Sequence, residues 1–141
     1  MRRSCKTYPF GSLPDPKYVV ILSKFDGKLL LSRHKERTTF ETQGGHIEAG
    51  ETVWKAAMRE LYEESGAMQY RIYALCDYRA GTKTSYGDGS VFVAEIDTML
   101  PLPESEMAEV KTFDTLPSND ELTYPWITPT LFKAAKDMLY F

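Results

Sequence analysis

One segment constrains the fold of this chain more than any other. It runs from Gly45 to Ala67, GHIEAGETVWKAAMRELYEESGA, and it marks a helix at both ends while loading it with carboxylates. Thr52 can cap the first turn, its hydroxyl accepting from an orphan amide. Residues 53–65 contain no Pro or Gly, and Gly66 stands where a left-handed residue closes a helix. These signals predict a helix over 53–65. Trp54, Ala57, Met58 and Leu61 recur at helical spacing and are expected to form its core-facing stripe.

Glu60, Glu63 and Glu64 stand at i, i+3 and i+4, so their side chains share one surface beside that stripe. At about 6 Å and an effective dielectric near 20, each like-charge pair costs roughly 3 kcal/mol. A solvated helix face tolerates such repulsion, whereas a divalent cation removes it. Hard oxygen ligands suit Mg²⁺ or Mn²⁺, while zinc favours His and Cys. The triplet alone leaves both readings open.

The wider pattern is more selective. Gly45 is followed after five residues by Glu51, and after seven more by Arg59-Glu60. An apolar residue, one free position, Glu63-Glu64, another free position, Gly66 and a final apolar residue complete it. On these residues the chain resembles the Nudix hydrolase family. The resemblance implies that Glu60, Glu63 and Glu64 bind the metal, with a backbone carbonyl at Gly44 as a further ligand and Gly45 beside it. Glu51 would orient or supplement the set, Arg59 would hold the carboxylates by ion pairing, and Gly66 would close the helix. Catalysis would fall to Glu60, Glu63, Glu64 and Arg59. One departure is visible: Gln43 stands where many members have Pro.

The resemblance also implies an α/β fold, an α/β/α sandwich with a mixed sheet between helices. It implies Mg²⁺ as cofactor, with Mn²⁺ substituting, and attack of water on phosphorus in a nucleoside diphosphate derivative. Members often draw one more carboxylate from a later loop. Glu104 and Glu106 lie at roughly that place, with Glu109 and Asp88 as alternatives. Arg33, His34, Lys35 and Arg37 follow the second strand and could meet phosphates. Tyr78, Tyr86 and Trp126 could stack on a base, and Trp126 and Thr128 sit where related enzymes often contact one. Each of these has a plainer reading, as a loop charge or a core aromatic.

Substrate choice resides outside the box. The short chain leans toward a nucleoside triphosphate pyrophosphohydrolase releasing monophosphate and diphosphate. The stretch from Val19 to Glu48 resembles small bacterial members that act on dGTP or its oxidised form. The alternatives are a nucleotide-binding sensor without hydrolysis, or a hydrolase of ADP-ribose or dinucleoside polyphosphates. An isomerase of the isopentenyl diphosphate type would need a longer chain and other ligands.

A length of 141 residues with 43% hydrophobic content fits a single domain over 1–141, with 1–16 as an irregular lead-in. A net charge of −3 argues against a nucleic-acid-gripping face, but a metal would supply positive field locally to a phosphorylated substrate. The partner expected is therefore a small nucleotide, with no nucleic acid, no membrane, and a homodimer left open. Two cysteines, Cys5 and Cys76, form no disulfide framework and suit a reducing cytoplasm. Cys76 reads as a core residue and Cys5 as part of a loose terminus.

Along the chain, 17–24 and 28–32 read as a hairpin about Asp26-Gly27. A short strand is expected near Phe40, before a glycine loop. Strands follow at 69–79, 90–96 and 110–113, with a Gly-rich connection over 80–89. A helix begins near Pro129.

Overall fold

Asp26 and Gly27 both take positive φ, 54° and 75°, and this turn joins β2 (Tyr18–Phe25) to β3 (Lys28–His34). The computed structural model describes residues 2–141, and Met1, the first residue of the expected lead-in, lies outside them. β2 organises the sheet. Along its whole length it pairs in parallel with β6 (Tyr86–Met99). Its other edge is divided, with Tyr18–Ile21 pairing antiparallel to β4 (Gln43–His46) and Ser23–Phe25 pairing to β3. Adding β1 (Ser4–Tyr8), β5 (Ala67–Gly81) and β7 (Met107–Phe113) gives a seven-stranded mixed sheet, six strands in the order β1-β5-β6-β2-β3-β7 and the seventh, β4, branching from β2.

Strand alternation splits the core into two. From β6, Phe92, Ala94 and Ile96 face α1 (Val53–Ser65), joined by Val19, Ile21, Ala56, Ala57 and Leu61. Val91 and Val93 face the other way, onto Leu131, Phe132 and Ala135 of α2 (Thr128–Asp137). One helix on each face of the sheet is the α/β/α sandwich expected from the resemblance.

The ends of α1 follow their local signals. Thr52 Oγ1 accepts from the Lys55 amide at 3.1 Å, and Gly66, at φ 82°, donates its N–H to the Tyr62 carbonyl. No side chain could replace that glycine, because a Cβ would meet the Leu100 carbonyl.

Four expectations are corrected. The buried face of α1 carries Ala56, Ala57, Glu60, Leu61, Glu64 and Ser65, while Trp54 and Met58 are 39% and 40% exposed. Residues 4–8 are a strand, since Ser4–Tyr8 pair with Asp77–Gly81, so Cys5 is half-buried in β1 with its thiol pushed up to about 11 by burial. The glycines of the expected loop form β4, which pairs directly with β2. The Gly-rich 80–89 connection shrinks to a turn, because β5 and β6 stay paired as far as Gly81 and Tyr86.

Gln43 has a specific place in this fold. Fully buried, it accepts from Ser23 Oγ at 2.6 Å and donates to Ser32 Oγ at 2.9 Å and to the Leu30 carbonyl at 3.3 Å. Ser32 Oγ in turn donates to the Glu64 carbonyl at 2.8 Å. The side chain standing in the family's proline position thus ties β2, β3 and β4 to the end of α1.

Candidate active site

Arg59 is the hub of the acidic helix. Its Nε and Nη2 grip both oxygens of Glu51 at 2.7 and 2.9 Å, and Nη1 donates to Glu60 Oε1 at 2.8 Å. Nη2 also donates to the His46 carbonyl at 3.1 Å, and Glu63 lies 3.5 Å from Nη1. The two-point hydrogen bond from Arg59 brings the Glu51 carboxyl down to about 2. Arg59 itself is held above the usual guanidinium range by Glu51.

Glu64 differs in character. It is 8% exposed, and its Oε1 accepts from the Gly44 amide at 2.9 Å. Burial, reinforced by the charges of Glu60, Glu41 and Glu106, raises its carboxyl to about 8 against the pull of that amide. Glu60, also buried, is pushed up by burial although Arg59 pulls it down. Its carboxylate rests against Gly45, where a Cβ would lie 2.6 Å from Oε1. Two buried carboxylates side by side, one without a cationic partner among the described residues, form a donor set that fits a divalent ion. The side chains are held by protein groups instead of converging: among the described residues no three acidic, His or Cys side chains meet at one point.

Glu64, Gly44 and Gly45 line a cleft of about 700 Å³. Its walls include Glu41, Glu106, His34, Arg37, Arg3 and the aromatic residues Tyr18, Tyr78, Tyr124 and Trp126. Tyr124 meets Trp126 edge-on at 5.8 Å, and the Arg3 guanidinium lies 4.2 Å from the Trp126 ring centre. Tyr18 and Tyr78 pack closely over β6 because glycines stand beneath them, a Cβ at Gly87 or Gly89 falling within 2.8 Å of a ring carbon.

The structure sorts the residues singled out in the sequence. Trp126, Thr128, Glu106, His34 and Arg37 line the cleft, whereas Glu104, Arg33 and Tyr86 do not. Arg33 is paired with Glu109 at 2.8 Å and donates to the Arg37 carbonyl at 3.0 Å. Tyr86 lies under Arg79 at 4.3 Å, and Arg79 also grips Asp88 at 2.7 and 2.9 Å. Glu41 was missed. It is buried in the cleft wall, accepts from Arg37 at 2.9 Å, and is aligned by its bridge to Ser32. Only the alternation through Thr39–Gln43 could have pointed to it.

Residues 14–137 match the NUDIX domain family, and the chain therefore belongs to the Nudix hydrolases. Over 91 residues it is 33% identical to YtkD of Bacillus subtilis, a protein carrying a provisional assignment as an 8-oxo-dGTP diphosphatase. That alignment covers 64% of this chain, which spans only 56% of the relative's length. Among solved structures, the Bacillus subtilis pyrophosphohydrolase BsRppH superposes with a TM-score of 0.81 at 24% identity, covering 97% of this chain and 89% of that one. The NUDIX domain of Shewanella oneidensis NrtR, complexed with ADP ribose, gives 0.68 at 15% identity and covers 94% of each chain. No helix among the described residues is long and apolar enough to cross a membrane.

Proposed function

We propose that the chain hydrolyses a diphosphate linkage in a nucleoside triphosphate or its oxidised form, releasing a nucleoside monophosphate and diphosphate in a Mg²⁺-dependent reaction. The observation that carries this reading is the buried, cation-free carboxylate of Glu64 on the floor of a cleft with aromatic walls. The resemblance to YtkD supports the choice of substrate. Glu60, Glu63 and Glu64, with the carbonyl of Gly44, would hold the metal, and Mn²⁺ would substitute. When bound, the ion supplies Lewis acidity toward the phosphate oxygens and lowers the pKa of a ligating water.

The remaining work belongs to the chain's own groups. Arg59 keeps Glu51 and Glu60 in register, and the Gly44 amide fixes one oxygen of Glu64. Trp126 and Tyr124 offer faces to a base, while Arg37 and Arg3 bring positive charge to the cleft wall. A cleft carboxylate takes a proton from water as its oxygen bonds to phosphorus, and the bridging P–O bond breaks with its electron pair leaving on diphosphate. A small nucleotide is the partner, and two free cysteines suit a reducing cytoplasm. A sensor that binds without cleaving is the alternative. The complete set of Glu51, Arg59, Glu60, Glu63 and Glu64 favours hydrolysis.

The test is a Mg²⁺-dependent product-release screen over canonical and oxidised triphosphates, ADP-ribose, nucleotide sugars and dinucleoside polyphosphates. Diphosphate release from a triphosphate is expected, lost with EDTA and restored by Mn²⁺. Glu63→Gln should lower turnover about a hundredfold or more while the protein stays folded. Turnover that survives chelation, or a wild-type rate in that variant, overturns the reading.

A further inference from the structure

We infer that His34 is a positioning residue that aims Glu106 into the cleft as the base of this reaction, an inference that rests on the hydrolytic reading above. The β3–β7 pairing shifts register between Arg33 and His34, placing His34 opposite Met107. The extra residue of this bulge is Ala108 on β7, so the bend falls at the start of β7, two residues past Glu106, and His34 lines the cleft together with Glu106. His34 Nδ1 accepts from the Glu36 amide at 3.1 Å. That bond assigns the ring proton of neutral His34 to Nε2. Nε2 lies 3.8 Å from Glu106 Oε2. The contact is longer than a hydrogen bond, as catalytic contacts often are before substrate tightens them.

The main chain at Glu106 is fixed from the same turn. Lys35 donates its amide to the Glu106 carbonyl at 2.9 Å, and Met107, the next residue, is buried. The Glu106 side chain is free by comparison, 79% exposed against 18% for His34. With the backbone fixed and the carboxylate exposed, the contact from His34 Nε2 orients the Glu106 carboxylate. Glu104, the other acid in this loop, does not line the cleft. In the reaction, Glu106 accepts the proton of the attacking water, and the Nε2–H of His34 keeps one carboxylate oxygen engaged so that the other faces that water.

A bland alternative exists, in which His34 merely satisfies the Glu36 amide. Two substitutions separate the roles. His34→Gln carries an amide N–H near the position of Nε2 and lacks the acceptor near Nδ1. His34→Asn keeps an acceptor near Nδ1 and loses the distal donor. Steady-state kinetics are measured with Mg²⁺ and dGTP, or the nucleotide that turns over fastest in the screen above. His34→Asn should lower kcat about tenfold or more with KM within about twofold, and His34→Gln should recover to within about threefold of wild type. Glu106→Gln should lower kcat at least as far, and adding His34→Asn to it should cost nothing further.

The reverse order, with Asn active and Gln impaired, overturns the inference, as do wild-type kinetics in both or an additive double variant. Should His34→Asn fail to fold, His34→Gln decides alone. A kcat more than about tenfold down at an unchanged melting temperature would then sink the proposal. Turnover by wild type with any of these results leaves the hydrolytic reading standing. A wild type inactive on every nucleotide overturns that reading, and the role of His34 with it.

Discussion

Gly45 meets the Glu60 carboxylate with no side chain between them: a Cβ there would lie 2.6 Å from Oε1 and 2.7 Å from Cδ. Its neighbour Gly44 instead faces backbone, with a Cβ 2.3 Å from the Val19 carbonyl oxygen. The two glycines should therefore fail differently. Gly45→Ala displaces the end of a side chain, so the fold should survive while kcat falls about tenfold or more and Mg²⁺ affinity drops. Gly44→Ala must move β2 or β4 and should cost about 2–4 kcal/mol of stability. Thermal melts beside kinetics check this, and a Gly45→Ala protein with full activity would show that Glu60 has room to spare.

The buried Glu64 makes stability depend on pH in an unusual direction. Its folded carboxyl is raised to about 8, against 4.5 for the unreacted group, so the folded state binds the proton more tightly than the unfolded state does. That contribution is fully present below 4.5 and is lost as pH rises through 8. Metal-free protein should lose on the order of a few kcal/mol between those limits. Glu51, lowered to about 2, has the opposite sign and acts only below pH 4.5, so the two windows do not overlap. Melting in EDTA from pH 5 to 8.5 should show a falling Tm, flattened in Glu64→Gln, and Mg²⁺ should stabilise more as pH rises. A flat profile in the wild type would place Glu64 in water.

Elements set by short-range signals were legible in the sequence. The α1 helix is bounded by Thr52 and Gly66, the β2–β3 hairpin turns on Asp26-Gly27, and the acidic rhythm from Glu51 to Glu64 marks the candidate site. Long-range pairing was not legible. Nothing within 4–8 announces a strand, because its partner lies more than 60 residues away in β5. The rotation of α1 was misread for a different reason. Two stripes run side by side on the helix, and bulk favours burying Trp54 and Met58, yet small Ala56 and Ala57 let the helix approach the sheet closely. That rotation also turns Glu60 and Glu64 inward toward the glycines. His34 was among the basic residues expected at the cleft, whereas the side chain of Glu41 reaches it by a tertiary placement that the short alternation through Thr39–Gln43 only hints at.

Gln43 is a case where a departure from the family pattern has a structural explanation. Ser23, Ser32 and the Leu30 carbonyl all spend hydrogen bonds on one fully buried amide. Gln43→Leu keeps similar volume and strands those groups, at an expected cost of about 2–4 kcal/mol. Because Ser32 also bonds the Glu64 carbonyl, Mg²⁺ affinity should weaken alongside stability. Urea denaturation and calorimetric Mg²⁺ titration read the two effects. An unchanged midpoint would mean that the network contributes nothing net.

The two stripes of α1 can be ranked by truncation. Leu61 is fully buried against Ile21, Phe92 and their neighbours, so Leu61→Ala should cost about 3–4 kcal/mol. Trp54 keeps only part of that burial: its ring meets Phe92 edge-on at 4.8 Å and Phe10 at 6.2 Å, and 39% of the residue remains in water. Trp54→Ala should fall between, at about 1–3 kcal/mol, largely by loosening Phe10 and the chain leading into β2. Met58, 40% exposed and on the same outer stripe, should cost less than about 1 kcal/mol. None of these side chains reaches the cleft, so kcat should stay near wild type in Trp54→Ala and Met58→Ala. If Met58→Ala instead proved as damaging as Leu61→Ala, α1 would have to sit rotated on the sheet, carrying Glu60 and Glu64 away from Gly44 and Gly45.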